Sequence, residues 1–148
     1  MTTDQTRALT ERLAQARAAG DAAAILPLLT DDVVLVVPPS LGETDRPSLQ
    51  ASDPDGVALG LSGTAVHAFM HAETIRREVQ QTLVDGDVSV QRIHMTGEFK
   101  AGGRYDNHYV WVFHWRDGRI HRVEEYPDTL RYAQMNLTRV GETGSPTS

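Results

Sequence analysis

The stretch from Tyr105 to Arg131 reads Y-D-N-H-Y-V-W-V-F-H-W-R-D-G-R-I-H-R-V-E-E-Y-P-D-T-L-R, and its period decides the fold. Odd positions carry Tyr105, Asn107, Tyr109, Trp111, Phe113 and Trp115. Even positions carry Asp106, His108, Val110, Val112, His114 and Arg116. Alternation of aromatic and β-branched residues at period two marks a strand with two unlike faces. Asp117-Gly118 supplies the residues of a tight hairpin turn. The chain returns from Arg119 to Tyr126 and closes on Glu124, Glu125, Tyr126, Pro127 and Asp128. A buried amide needs hydrogen-bond partners, and Leu would pack as well as a ring. An aromatic face that carries an amide, beside a carboxylate cluster, therefore predicts a pocket wall.

Working outward, 148 residues suit a single domain with a sizeable core. The net charge of −6 and a sequence pI near 5.4 argue against a nucleic-acid partner, whose phosphates need a basic surface. They also give no reason to expect anionic membranes as a partner. With no cysteine, disulfides, thiolate nucleophiles and Cys-held metals are excluded. The start, Met-Thr-Thr-Asp-Gln, has no apolar h-region, and no run of about 18 apolar residues can span a bilayer. These features predict a cytoplasmic protein.

Thr3 to Ala19 reads as a helix with a Leu9, Leu13, Ala16 stripe, leaving Arg7, Glu11, Arg12 and Arg17 outside it. Asp21 caps a shorter helix to Leu29 that Pro27 bends or stops. Val33 to Val37 is a buried strand ended by Pro38-Pro39. Ser40 to Gly63 lacks a clear pattern and is expected to form a long loop or lid over a pocket mouth. Thr64 opens a helix to about Glu73. Ile75–Val84 and Asp87–Phe99 are strands joined at Asp85-Gly86, and Asp128 caps a terminal helix through Asn136. The domain covers residues 1–140, with 141–148 a flexible tail. This order predicts an α+β fold: N-terminal helices packed on a curved antiparallel sheet that closes as a cone around an internal apolar cavity.

The opening G-D-A-A-A-I-L-P-L-L-T-D-D-V-V and the close Y-x-N-x-Y…D-G-R-I…E-E-Y-P-D-T resemble the SnoaL-like, ketosteroid-isomerase-related branch of the nuclear transport factor 2-like superfamily. That superfamily includes isomerases, polyketide cyclases, epoxide hydrolases and non-enzymatic binding domains, often homodimers through the open sheet face. In the register of limonene-epoxide-hydrolase-type enzymes, the resemblance makes Arg92 the arginine that bridges two carboxylates and Glu125 one of them. His94 stands where the other carboxylate belongs. Leu35 and Val37 stand where those enzymes hold water with Tyr and Asn, which weighs against hydrolysis. In SnoaL-like cyclases a late Asp is the catalytic acid, and Asp128 falls near that place.

By parity Arg92, His94 and Thr96 share one strand face, as do Asn107, Tyr109 and Trp111. Hairpin pairing is expected to bring Arg92, His94, Asn107, Tyr109 and Glu125 together at the cavity. His94 then moves a proton, Glu125 and Arg92 set its charge, and Asn107, Tyr109 and Trp111 hold the substrate. Each residue also has a structural reading: a hydrogen-bonded strand histidine, an Arg92–Glu125 ion pair, a helix cap at Asp128. His67 and His71 have metal-ligand spacing on a helix but lack a third ligand, so no metal and no cofactor are expected. The reading is an acid–base isomerase or cyclase acting on a small apolar, polyketide- or terpenoid-like molecule. An epoxide hydrolase or epoxide-opening cyclase is one alternative. A non-catalytic ligand-binding or dimerisation domain is the other.

Overall fold

The computed structural model describes residues 1–41 and 48–135, of which 48–50 are described in backbone alone. Helix α1 (Thr3–Ala18) starts at a capping box: the Thr2 side chain accepts from Gln5 N–H, and the Gln5 side chain returns the bond. Asp21 caps the one-turn α2 (Ala22–Ile25). Pro27 turns the chain into a single 3-10 turn, Leu26–Leu28, since it cannot donate within an α-helix. Strand β1 (Leu29–Val37) follows, then β2 (Ser48–Ala51).

The region expected to be a loop contains a helix, α3 (Pro54–Ser62). Its signals are plain once the ends are seen: Asp53 as N-cap, Pro54 in the first turn, and Gly63 at φ 69° as the left-handed stop. The lid expected over 40–63 is thus replaced in part by packed structure, and residues 42–47 lie outside the described residues. The helix expected from Thr64 is two 3-10 turns, Thr64–Ala68 and Ala72–Thr74. The expected meander is present as β3 (Arg76–Asp85), β4 (Val88–Glu98), β5 (Arg104–Arg116) and β6 (Arg119–Pro127). Residues 129–135 begin the terminal helix, α4; the expected tail lies outside the described residues.

The sheet order is β2-β1-β6-β5-β4-β3. β1 joins the meander in parallel beside β6, and all other pairs are antiparallel. The sheet is curved but open, so the expected closed cone becomes a sheet with a cleft along its inner face. Leu13, Ile25, Leu61, Val33, Phe113, Trp115, Ile120 and Val123 are almost fully buried between helices and sheet. Each such side chain contributes about 1.5–3 kcal/mol of transfer free energy. A polar clip ties α1 to this core: Thr10 Oγ1 donates to Ser89 Oγ at 2.8 Å, and Trp115 Nε1 donates to the same oxygen at 2.9 Å.

Candidate active site

Strand β5 runs from the core into the cleft, so its aromatic face changes duty along its length. Phe113 and Trp115 are core, 0% and 1% exposed. Trp111 stands at the boundary, and Tyr109 and Tyr105 lie beyond it. The expectation that the whole face lines a pocket therefore holds only for Tyr109 and Trp111. The cleft has two adjoining parts. One, of about 430 Å³, is lined by Arg17, Arg77, Met95, Tyr109, Trp111 and Glu125, among others. The second, of about 670 Å³, shares Tyr109 and Glu125 and adds Leu35, Val37 and Tyr132.

Glu125 is carried by β6 directly opposite Trp111 of β5. Its side chain points inward because Val123, two residues earlier, is a core residue. Among the described residues its carboxylate accepts no hydrogen bond. Burial pushes its pKa up to about 7, against the opposing pull of the Arg17 charge. A carboxyl poised there exchanges protons at neutral pH.

Arg17 is 7% exposed and closes the cleft from α1. Its Nε donates to the Leu61 carbonyl at 3.1 Å, and its guanidinium lies 4.2 Å from the centre of the Trp111 ring. Its Nη1 is buried without a partner among the described residues. Burial lowers its pKa to about 10, helped by the charge of Arg77 and opposed by Glu125. Arg77, from β3, donates through Nη2 to the Gly63 carbonyl at 3.3 Å, and burial lowers its pKa as well. The hydroxyls of Tyr105 and Tyr109 are hydrogen-bonded to each other. Burial raises both phenols above their ordinary range, so both stay neutral and able to donate.

Of the residues singled out in the sequence, the cleft brings together Glu125, Tyr109 and Trp111. It does not include Arg92 or His94. The register pairs His94 with His108, Ile93 with Tyr109 and Met95 with Asn107. Ile93 and Met95 take the inner face, and a period of two turns Arg92 and His94 outward. His94 there accepts or donates one bond with Asp106, Nε2 to Oδ1 at 2.7 Å, and stacks on His108 at 4.4 Å. The ligand atoms of His94, Asp106 and His108 lie within 4.8 Å of one another.

Asn107 is buried, but both ends of its amide serve the backbone. Nδ2 donates to the Asp128 carbonyl at 3.3 Å, and Oδ1 accepts from His108 N–H. It clips β6 to β5 and is absent from the cleft lining. Asp128 is exposed and accepts from Arg131 N–H at 3.0 Å, which makes it the cap of α4. His67 and His71 lie on and beside a 3-10 turn, so the helical i,i+4 spacing is not realised.

Arg17 and Arg77 are the residues that sequence reasoning missed. Arg17 follows Leu13 by four residues, which places it on the buried stripe of α1. Arg77 precedes Val79 by two on β3 and faces Met95.

The family model described as the SnoaL-like domain matches residues 10–123. No curated protein matches the chain. Among solved structures, an NTF2-like protein of unknown function from Burkholderia pseudomallei K96243 is similar at TM-score 0.70 and 16% identity, covering 88% of this chain and 95% of that one. IdmH from Streptomyces antibioticus, described as a proposed polyketide cyclase, is similar at TM-score 0.67 and 23% identity, covering 93% and 99%. AclR from Streptomyces galilaeus, described as a proposed hydroxylase, is similar at TM-score 0.67 and 19% identity, covering 95% and 98%. No helix among the described residues is long and apolar enough to cross a membrane.

Proposed function

The chain belongs to the SnoaL-like domain family of the nuclear transport factor 2-like superfamily, and from that premise we propose that it is an acid–base isomerase or cyclase with Glu125 as the proton carrier. One observation carries the reading: Glu125 is desolvated in the cleft, accepts no hydrogen bond among the described residues, and has its pKa raised to about 7. A carboxylate used only for structure is normally hydrogen-bonded or paired.

The chemistry follows from the neighbours. Ionised Glu125 removes a proton from carbon next to a carbonyl. The charge that develops on the carbonyl oxygen is met by the Tyr109 hydroxyl, which Tyr105 holds in place. The enolate then takes one of two courses. Glu125 returns the proton to another carbon, which is isomerisation. Otherwise the enolate carbon attacks a second carbonyl of the same molecule, and Glu125 protonates the new alkoxide, which is cyclisation. The Trp111 and Met95 wall suits a flat, mostly apolar substrate of polyketide type. Leu35 and Val37 of β1 bring no polar group of their own to hold a water in the adjoining part of the cleft, where Tyr109, Glu125 and Tyr132 are the polar lining, and this favours these courses over hydrolysis.

The test is deuterium exchange from solvent into a panel of enolisable aryl ketones and diketones, followed by NMR. Exchange above the buffer rate that Glu125→Gln abolishes supports the proposal. Exchange indifferent to that substitution, or none with any member, overturns it.

A further inference from the structure

We propose that the cleft takes hold of its substrate by an oxyanion, a carboxylate or an ionised enol, bound between the guanidiniums of Arg17 and Arg77; this deepens the acid–base reading above and rests on it for the site. The protein as a whole is acidic, with a net charge of −6. The cleft is the reverse. Its described lining holds two guanidiniums against the single carboxyl of Glu125, so it stays positive whether or not Glu125 is ionised. Among the described residues neither arginine forms an ion pair within 4.0 Å.

Two like charges drawn together out of water are costly unless something answers them. The fold goes to some length to keep these two in place. Both are held by backbone carbonyls at the end of α3: Arg17 Nε by Leu61 and Arg77 Nη2 by Gly63. A helix C-terminus favours cations, so α3 orients the pair without neutralising it. Trp111 supports the Arg17 guanidinium from below at 4.2 Å. Arg17 Nη1 is buried and, among the described residues, has no acceptor. Buried donors are nearly always satisfied, and an arginine fork is matched by a planar oxyanion. A neutral carbonyl could accept one bond but would leave the charge unanswered. The substrate class is therefore a flat molecule with an acidic oxygen at the Arg17–Arg77 end and its reacting carbon beside Glu125.

Calorimetric titration of the full chain with two matched pairs of probes tests this. Naphthoate and methyl naphthoate represent the carboxylate and its neutral form. Lawsone and its methyl ether represent the ionised enol and its neutral form. In at least one pair the anion is expected to bind about tenfold or more tightly than the neutral partner, as a charge-assisted hydrogen bond implies. That pair also tells which oxyanion the cleft prefers. Arg77→Gln, on a residue only half buried, should erase the preference with the fold intact by circular dichroism. Arg17→Gln should do the same if it folds. Glu125→Gln should keep the preference, because it removes only a negative charge. Equal affinity within both pairs, or a preference that survives Arg77→Gln unchanged, overturns the inference. The two readings fail separately. Glu125-dependent exchange without anion preference sinks this one alone. Anion preference without any exchange sinks the acid–base reading and leaves the binding site.

Discussion

Trp111 and Glu125 are direct cross-strand partners in the β5–β6 ladder, so the aromatic wall of the cleft and its acid are joined through backbone register. A slip of one residue would turn Glu125 to the outer face and bring Glu124 inward. Glu124 is already engaged outside, with His114 at 2.5 Å and Tyr126 at 2.6 Å. The two adjacent glutamates thus have opposite duties, one paired on the outer face and one unpaired in the cleft.

The first prediction concerns rate. Glu125→Gln should lower turnover of any proton-transfer substrate by about 10²–10⁴, the usual worth of a general acid–base group. In the wild type, kcat/KM for proton abstraction should rise with pH and level off above about 7, as Glu125 ionises. Arg17, Arg77, Tyr105 and Tyr109 face it, and all four hold a constant charge over that range. A profile flat from pH 5 to 9 (roughly two pH units either side of the expected midpoint) would show that another group carries the proton.

The same substitution should stabilise the fold in a definite pH window. The folded pKa of Glu125 is raised from 4.5 to about 7, so the folded state holds its proton more tightly than the unfolded chain. Stability is then lost as pH rises from about 4.5 through about 7, at about 1.4 kcal/mol per pH unit across that interval. Glu125→Gln has no such penalty. Its melting temperature should match the wild type near pH 4 and exceed it near pH 8, roughly the two sides of that window. Thermal scans at the two pH values check the sign.

On the outer face, His94→Asn should leave turnover within about twofold, because His94 faces away from the cleft. Its hydrogen bond is the main cause that holds the Asp106 carboxyl below its ordinary range. The variant should raise the Asp106 pKa toward that of a free carboxylate, read by NMR titration of the side-chain carbon. A large loss of activity with the fold intact would return His94 to the reacting centre.

The fate of His94 shows where the sequence stops being legible. The β5 alternation was readable because its two faces differ in kind: rings on one, short or charged groups on the other. Strand β4 has no such contrast. Val88 and Val90 occupy one parity, Ile93 and Met95 the other, so either face could be the inner one. Bulges add a second difficulty. One in the β5–β6 pairing, between His114 and Trp115, lets Ile120 and Val123 both reach the core, which no strict period of two allows. Arg17 escaped for a different reason. A charge on a helix is ordinarily solvated, and only the cleft above it makes its burial intelligible. The helix α3 was legible in its caps, but six glycines and prolines between Ser40 and Gly63 outweighed them.

Ser89→Ala tests the polar clip beneath the cleft. The serine hydroxyl accepts from Thr10 Oγ1 and Trp115 Nε1 in buried surroundings. Its loss leaves the buried Trp115 Nε1 without its acceptor, while Thr10 Oγ1 keeps the Thr6 carbonyl at 2.7 Å, at a cost of about 1–3 kcal/mol. Chemical denaturation should show a loss of about 2 kcal/mol. Deuterium exchange at pH 7 (about the Glu125 midpoint) should be unchanged, since neither Thr10 nor Trp115 lines the cleft.

Gly63→Ala joins the backbone to the oxyanion site. Gly63 has φ 69°, where an L side chain is strained, and it ends α3 as a left-handed cap. A Cβ built there meets Arg77 Nη2 well inside contact distance. The clash is with the far end of a flexible side chain, so Arg77 can swing away and the fold can survive. It then gives up its bond to the Gly63 carbonyl and its place beside Arg17. Two effects should therefore appear together: a stability loss of about 1 kcal/mol or more from the backbone, and a loss of naphthoate or lawsone affinity that matches Arg77→Gln. In the double variant the two affinity losses should not add, because both remove the same guanidinium. Additive losses would mean that Gly63 acts on the ligand by a route other than Arg77.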